Sequence, residues 1–359
     1  MNNLIDIDEN FTVETKTRLA PGEMEEVGTF LSGMGLSLEE ELDETVIVRD
    51  AGKIIATGSA SGCVIKCMAV NPEIRGKNLS GVVAGKLLQN LYHRGKSDIF
   101  VFTKPENRDV FENLGFFEIY EAKGDALLME NNPSGFASYI ENIKKETPPG
   151  LRELAGKGAK ICAVVVNCNP FTRGHLYLIE KAASECDLLY IFVVSEDKSL
   201  FPSEVRYNLV KKGTSHLENV SVHRGGSYII SASTFPSYFI KEGKKVLEVH
   251  ARMDAGIFAE RIAPLLGIKK RYAGEEPLCP VTENYNRVMG EVLPAAGVDF
   301  EVIKRVETGG DVISASRVRK LIACGRLSEA KELLPGVTIE YLESGEAEEV
   351  IKKIKGMVK

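Results

Sequence analysis

Near the middle of the chain the run AKICAVVVN is apolar at almost every position, and NPFTRGHLYLIEKA follows it at once. A strand with one wet face alternates apolar and polar residues. A continuous apolar run is buried on both faces, as in a parallel sheet covered by helices. The pattern then repeats as DLLYIFVVS, a helical stretch around SEVRYNLVKKGTSHL, and NVSVHRG. Strand–helix alternation with short loops predicts a doubly wound parallel α/β sheet, whose ligands lie outside the carboxyl ends of the strands.

The first half reads differently. ETVIVRDAGKIIATGSA holds two β-rich runs around Asp50-Ala51-Gly52-Lys53, a hairpin signal. CVIKCMAV is a further strand, NLSGVVAGKLLQNLYHRG has helical spacing, and DIFVFTK, FFEIY and ALLME are strands. This mixture predicts an α+β domain over residues 1–130. Pro, Gly and charge loosen the pattern over 131–157, the expected linker. The α/β domain is expected over 158–336, and the charged tail 337–359 as a helical extension without chemistry.

Bulk properties exclude several classes. A chain of 359 residues with 44% apolar and 27% charged residues suits a globular protein of two domains. Its net charge of −6 argues against a general nucleic-acid binder. No apolar run approaches the ~20 residues that span a bilayer, and MNNLIDIDENF does not read as a secretory signal. Seven scattered cysteines fit the reduced thiols of a cytoplasmic protein, and none is expected to be catalytic. Cys63 and Cys67 lack a second ligand pair nearby, so they read as core residues and no protein metal site is expected.

Two stretches carry chemistry. In CAVVVNCNPFTRGH, a loop at a strand's carboxyl end feeds a helix whose free N–H groups and dipole favour an anion. Gly174 allows close backbone approach, and His175 on the first turn can direct a donor at a phosphoryl oxygen. A capping Thr172 beside an incidental histidine is the plainer reading. Far downstream, GGDVISASRVRKLI sets hydroxyls and arginines at another helix start, a clamp for phosphates or simply a capped basic helix.

In this order, the two stretches resemble the nucleotidylyltransferase superfamily, which has an H/T-x-G-H motif after its first strand and an I-S-S-T-x-x-R motif near its end. Thr172 stands at the first motif position, as in the branch similar to phosphopantetheine adenylyltransferase, and Gly174 and His175 match directly. Ser314, Ser316 and Arg319 match the late motif, with Ala315 at its middle serine; Asn169 falls where many members have Asp. The resemblance implies binding of ATP with Mg²⁺ and attack on the α-phosphorus.

Three further stretches narrow the reading. Arg206 is either a phosphate or substrate contact or a solvated charge. Tyr228, Ser231, Ser233, Thr234, Phe235, Tyr238 and Phe239 suit either a pocket wall or a core strand and helix. Gly274-Glu275-Glu276-Pro277 falls where the superfamily often contacts the base; its glutamates either hold Mg²⁺ or are loop charge. NPFTRGH, SASTFPSYFIK, GEEPLCPVTENYN and ISASRVR together resemble the citrate lyase ligase family over essentially the whole chain. That implies ATP-dependent acetylation, from acetate, of the thiol on the phosphoribosyl-dephospho-CoA arm of citrate lyase's acyl-carrier subunit, with release of AMP and pyrophosphate.

The N-terminal segments AVNPEIRGKNLSGVVAGKLL and ENRDVFENLGFFEIY resemble GNAT acetyltransferases, whose loop holds CoA pyrophosphate at a helix N-terminus. The loop pattern R/Q-x-x-G-x-G/A reads here Arg75-Gly76-Lys77-Asn78-Leu79-Ser80. Both later small positions are altered, Asn78 replacing a glycine, while Gly76, Lys77 and the helix N-terminus remain to hold a CoA-like arm. The resemblance implies a domain that holds the CoA-like arm, or a retained fold. Other readings are a nucleotidylyltransferase joining AMP or CMP to a small phosphorylated metabolite, an acetyl-CoA-dependent acetyltransferase, and a nucleotide-sensing module without catalysis.

Overall fold

The computed structural model describes residues 11–74, 77–154, 158–195, 199–229, 238–240, 243–275, 280–308 and 311–356. The chain divides into two units, residues 1–136 with 235–249 and residues 137–234 with 250–359. Among the described residues, no helix is long and apolar enough to cross a membrane.

The first unit is built on seven strands: β1 (Phe11–Lys16), β2 (Glu44–Asp50), β3 (Lys53–Ser61), β4 (Val64–Val70), β5 (Phe100–Thr103), β6 (Phe117–Ala122) and β7 (Ala126–Glu130). They lie in the order β1-β2-β3-β4-β5-β7-β6. Ala51 and Gly52, both at positive φ, make the predicted turn between β2 and β3. Helices α1 (Pro21–Gly33), α2 (Leu79–His93) and α3 (Arg108–Asn113) complete the α+β arrangement. Along α2, Leu79, Val83, Leu87 and Leu91 fall on one face and join a core with Val46, Ile55, Ile65 and Val101. Gly58 of β3 is required there, because a Cβ would stand 2.6 Å from Val83 Cγ1.

Strands β4 and β5 are the parallel pair of this sheet, and they register only at Val64–Phe100 and Ile65–Val101. A cavity of about 780 Å³ opens past that pairing, lined by Met68, Asn71, Asn78, Thr103, Tyr238 and Phe239 among others. Tyr238 reaches it from the returning segment. Its hydroxyl donates to the Phe102 carbonyl at 2.7 Å, and its own carbonyl accepts from Ser37 N–H at 2.7 Å. Cys67 is buried in β4, and burial pushes its thiol up to about 12.

The second unit begins with α4 (Gly135–Glu146, whose first residues fall in the first unit) and α5 (Pro149–Arg152). Its sheet comprises β8 (Ile161–Val166), β9 (Leu188–Val193), β10 (Val220–Arg224), β11 (Lys270–Gly274) and β12 (Asp299–Ile303). All neighbours are parallel, in the order β10-β9-β8-β11-β12. The chain therefore winds outward one way from β8 and then the other way from β11. The crevice between those two strands is the topological switch point, where such sheets bind ligands.

Helices α6 (Arg173–Ala183), α7 (Ser203–Gly213), α8 (Gly243–Gly256), α9 (Ala263–Leu266) and α10 (Pro280–Ala295) connect the strands. A short pair, β13 (Glu307–Thr308) and β14 (Asp311–Val312), precedes α11 (Ala315–Ala323), α12 (Leu327–Glu332), α13 (Gly336–Glu343) and α14 (Glu348–Gly356). The last helices do more than extend the chain. Leu342, Val350 and Ile354 share a core with Phe201, Ile313, Val318 and Ile322, so they back the start of α11.

Candidate active site

Thr172 caps α6. Its Oγ1 accepts from the His175 N–H at 3.4 Å, which satisfies one of the helix's open donors. In return the Thr172 N–H donates to His175 Nδ1 at 3.1 Å, and Thr172 Oγ1 lies 2.9 Å from the same nitrogen. A nitrogen that receives a backbone N–H carries no proton, so the imidazole proton sits on Nε2. Burial pushes the half-buried His175 down to about 4, and the positive charge of Arg305 adds to the shift. His175 is thus a neutral Nε2–H donor at physiological pH, oriented by its own cap. The T-x-G-H spacing supplies this directly, since three residues separate a cap from the position it bonds.

The late motif lies against the early one. A Cβ on Gly174 would stand 3.1 Å from the Ile313 carbonyl oxygen, and Ile313 precedes the cap of α11. Ser314 is that cap: its Oγ accepts from the Arg317 N–H at 3.2 Å and lies 3.1 Å from Ser316 Oγ. Arg319, one turn on, donates to the Asn169 carbonyl in the loop after β8. Burial lowers its pKa, and among the described residues it has no carboxylate in ion-pair contact. A guanidinium partly removed from water beside two helix N-termini makes this corner strongly favourable for an anion. Thr172, Gly174, His175, Asn169, Ser314, Ser316 and Arg319 are therefore one cluster, although about 140 residues of sequence separate its halves.

Asn169 also orders the loop after β9, since its Oδ1 accepts from the Phe201 N–H at 3.1 Å. Arg206 is fully buried. Its Nε donates to Phe201 O at 3.0 Å, and its Nη1 donates to the carbonyls of Asn167 at 2.9 Å and Val194 at 2.5 Å. Its charge works inside the protein, tying together the loops after β8 and β9, where the sequence allowed a ligand contact or a solvated charge.

Gly274 ends β11 at the switch point, and its carbonyl accepts from Asn286 Nδ2 at 3.1 Å. Glu275 is exposed, its N–H bound to Ile303 O at 2.9 Å. Among the described residues, no group of three or more His, Cys, Asp or Glu is placed to hold a metal ion. Glu276, Pro277, Gly309 and Gly310 lie outside the described residues.

The described ends of the aromatic-hydroxyl segment belong to different units. Tyr228 is buried in the second unit against Tyr139, with ring centroids 4.9 Å apart. Tyr238 and Phe239 belong to the first unit, where Phe239 packs on Phe102 at 5.1 Å. Ser231, Ser233, Thr234 and Phe235 lie outside the described residues. In the first unit, Lys77 Nζ sits 4.8 Å from the Phe11 ring centroid, while Arg75 and Gly76 are also outside the described residues. Asn78 takes a left-handed conformation at the N-terminus of α2, its side chain against Gly81, where a Cβ would come within 2.6 Å.

Sequence reasoning missed two groups. Arg305, just past β12, directs Nη1 at Ile313 O at 3.3 Å and Nε at Glu275 O. Its signal was its place, a cation immediately beyond the carboxyl end of a parallel strand. Thr338 of α13 donates to Phe171 O at 2.9 Å, and Arg173 bonds the carbonyls of Leu333 and Leu334. The C-terminal helices thus hold the T-x-G-H loop as well as α11.

A parallel 3-2-1-4-5 sheet with a capped, neutral histidine at its switch point and a serine–arginine helix across from it places the second unit in the nucleotidylyltransferase class. The family model described as the citrate lyase ligase C-terminal domain matches residues 161–342. Citrate (pro-3S)-lyase ligase of Klebsiella pneumoniae is 38% identical over 89% of this chain and 92% of its own length. The enzyme of the same name from Escherichia coli K12 is 38% identical over 89% of this chain and 90% of its own length. An acyl-CoA N-acyltransferase structure from Pseudomonas aeruginosa aligns with 34% of this chain and 98% of its own, at 13% identity and a TM-score of 0.29. The chain belongs to the citrate lyase ligase family.

Proposed function

We propose that this protein activates citrate lyase by acetylating the thiol of its prosthetic arm, using acetate and ATP through an acetyl-adenylate. The observation that carries the reading is Arg319, a half-buried guanidinium without a carboxylate partner among the described residues, held between two helix N-termini at the switch point. That corner calls for a polyanion, and the family name supplies the reaction.

Acetate is a poor acyl donor because its carboxylate is anionic and resonance-stabilised. In the first step an acetate oxygen attacks the α-phosphorus of ATP. The new O–P bond forms as the bond to the β-phosphate's bridging oxygen breaks, and the electron pair leaves on pyrophosphate. The His175 Nε2–H donates to the phosphoryl oxygens without giving up its proton, while Ser314, Ser316, Arg319 and the α11 N-terminus hold the departing pyrophosphate. Asn169 shapes the loop, and Gly274 and Glu275 border the base. Mg²⁺ brought with the nucleotide would offset the charge of its phosphates, which supply the hard oxygen ligands such an ion favours.

In the second step the carrier arm's thiolate attacks the acetyl carbon and AMP leaves. The first unit's cavity, where apolar side chains alternate with Asn71, Asn78, Ser80, Thr103, Lys104 and Asn107, suits an amide-bearing arm of the CoA type. Arg75, Gly76 and Lys77 are assigned to its phosphate end. The partners are then the acyl-carrier subunit and acetate, with a cytoplasmic setting and no role for nucleic acid or membrane.

The test is ATP–pyrophosphate exchange by the full chain with Mg²⁺, with and without acetate. Acetate-dependent exchange is expected. Exchange that ignores acetate, with a stable nucleotide–metabolite product, would instead mark a nucleotidylyltransferase acting on a small phosphorylated metabolite.

A further inference from the structure

Arg305 is a strongly basic group beside the switch point that lies outside both motifs. It follows β12 by two residues, yet its guanidinium reaches back across the mouth of β11. Nε donates to the Glu275 carbonyl beyond β11, and Nη1 donates at 3.3 Å to the Ile313 carbonyl. That carbonyl is the atom against which Gly174 packs, so the guanidinium comes to the first turn of α6. Arg305 is half-buried, and its charge is felt at His175. The Glu275 carboxylate offsets part of the cost of removing that charge from water.

Resting on the adenylation reading above, we infer that Arg305 is a catalytic residue: its guanidinium meets the α-phosphate beside the His175 Nε2–H. As the acetate oxygen bonds to phosphorus and the bond to the β-phosphate breaks, negative charge gathers on the phosphoryl oxygens. A permanent, planar cation fixed by two backbone carbonyls meets that charge without reorganising. Labour is then divided by element. Arg319 and the serines of α11 face the leaving pyrophosphate, and Arg305 with His175 faces the phosphorus under attack. Burial already keeps His175 neutral, and the same cation adds to that effect, because a neighbouring positive charge disfavours imidazolium.

A loop clamp would account for the same two hydrogen bonds, so the test separates the roles. Full-length protein, R305Q and R305K are compared in acetate-dependent ATP–pyrophosphate exchange. The His175 ring is titrated by NMR in each and assigned with H175Q, and thermal melting checks the fold. R305Q is expected to lower the maximal exchange rate by roughly 10²–10³ with a much smaller change in KM for ATP, and R305K to recover part of it. The His175 titration should move upward in R305Q, because the opposing charge is gone. Exchange in folded R305Q within about twofold of the unmodified protein, or an unmoved His175 titration, overturns the role. Absence of exchange in the unmodified protein overturns the adenylation reading itself, and the proposed role with it.

Discussion

Ile313 brings its carbonyl oxygen to within 3.1 Å of where a Cβ on Gly174 would stand, and this contact joins the two halves of the site. The oxygen is backbone, further held by Arg305, so it cannot swing aside as a side-chain tip would. Gly174→Ala is expected to cost about 1–3 kcal/mol of stability by overpacking, and to lower exchange further by parting α6 from α11. Melting and exchange measured on the same preparation check this; unchanged exchange would mean the two helices act separately.

His175 works as a neutral donor, and its folded pKa of about 4 lies below the ordinary imidazole value. Lowering the folded value means the neutral form persists as pH falls through 6.5 and is lost only near 4. Adenylation should therefore show no inflection between pH 6 and 7 from this residue, and should fall towards pH 4. Folding stability should fall over the same window, between the unfolded and folded values, because the unfolded chain takes up the proton first. His175→Ala should reduce exchange by roughly 10²–10³ with the fold intact. An acid limb at pH 6–7 that vanishes in this variant would contradict the assignment.

Arg206 is expected to matter for stability. Arg206→Met removes the donors from the carbonyls of Phe201, Asn167 and Val194 in a dry interior, a loss on the order of 2–5 kcal/mol. Lysine should not restore it, for want of the planar fork. Chemical denaturation measures the effect, and a variant with normal stability and a raised KM for ATP would return Arg206 to the ligand.

Lys77 separates the two units' tasks. Lys77→Glu is expected to weaken transfer to the carrier protein severalfold through KM, while exchange with acetate alone stays unchanged. Equal carrier affinity in the two proteins would leave the first unit without a role in holding the arm.

Much of this architecture was legible because it rests on local rules. Continuous apolar runs gave the buried parallel strands, and a threonine three residues before a histidine gave a cap that orients the ring. The ISAS stretch gave the second helix start. What stayed hidden depends on tertiary placement. Nothing near Arg206 in sequence announces that its guanidinium turns inward onto three carbonyls. Nothing around Thr338 distinguishes a charged tail from helices whose Leu342, Val350 and Ile354 back the ISAS helix. Tyr228 and Tyr238 are ten residues apart in a segment that reads equally as a pocket wall or as a core strand and helix, and nothing in that pattern announces that they belong to different units.

The return of residues 238–249 to the first unit has a consequence for how the molecule is made. A ribosome that has finished β7 has delivered every strand of the first sheet. The Phe102 carbonyl must still wait for the hydroxyl of Tyr238, and Ser37 for its carbonyl partner. At ~5–20 residues per second, the intervening stretch of about one hundred residues takes roughly 5–20 s to emerge. Through that interval the nascent N-terminal sheet lacks the hydrogen bonds that Tyr238 brings to Phe102 and Ser37. Those contacts can form only after β8, β9 and β10 of the other unit have been synthesised, because the segment that makes them follows those strands in the chain.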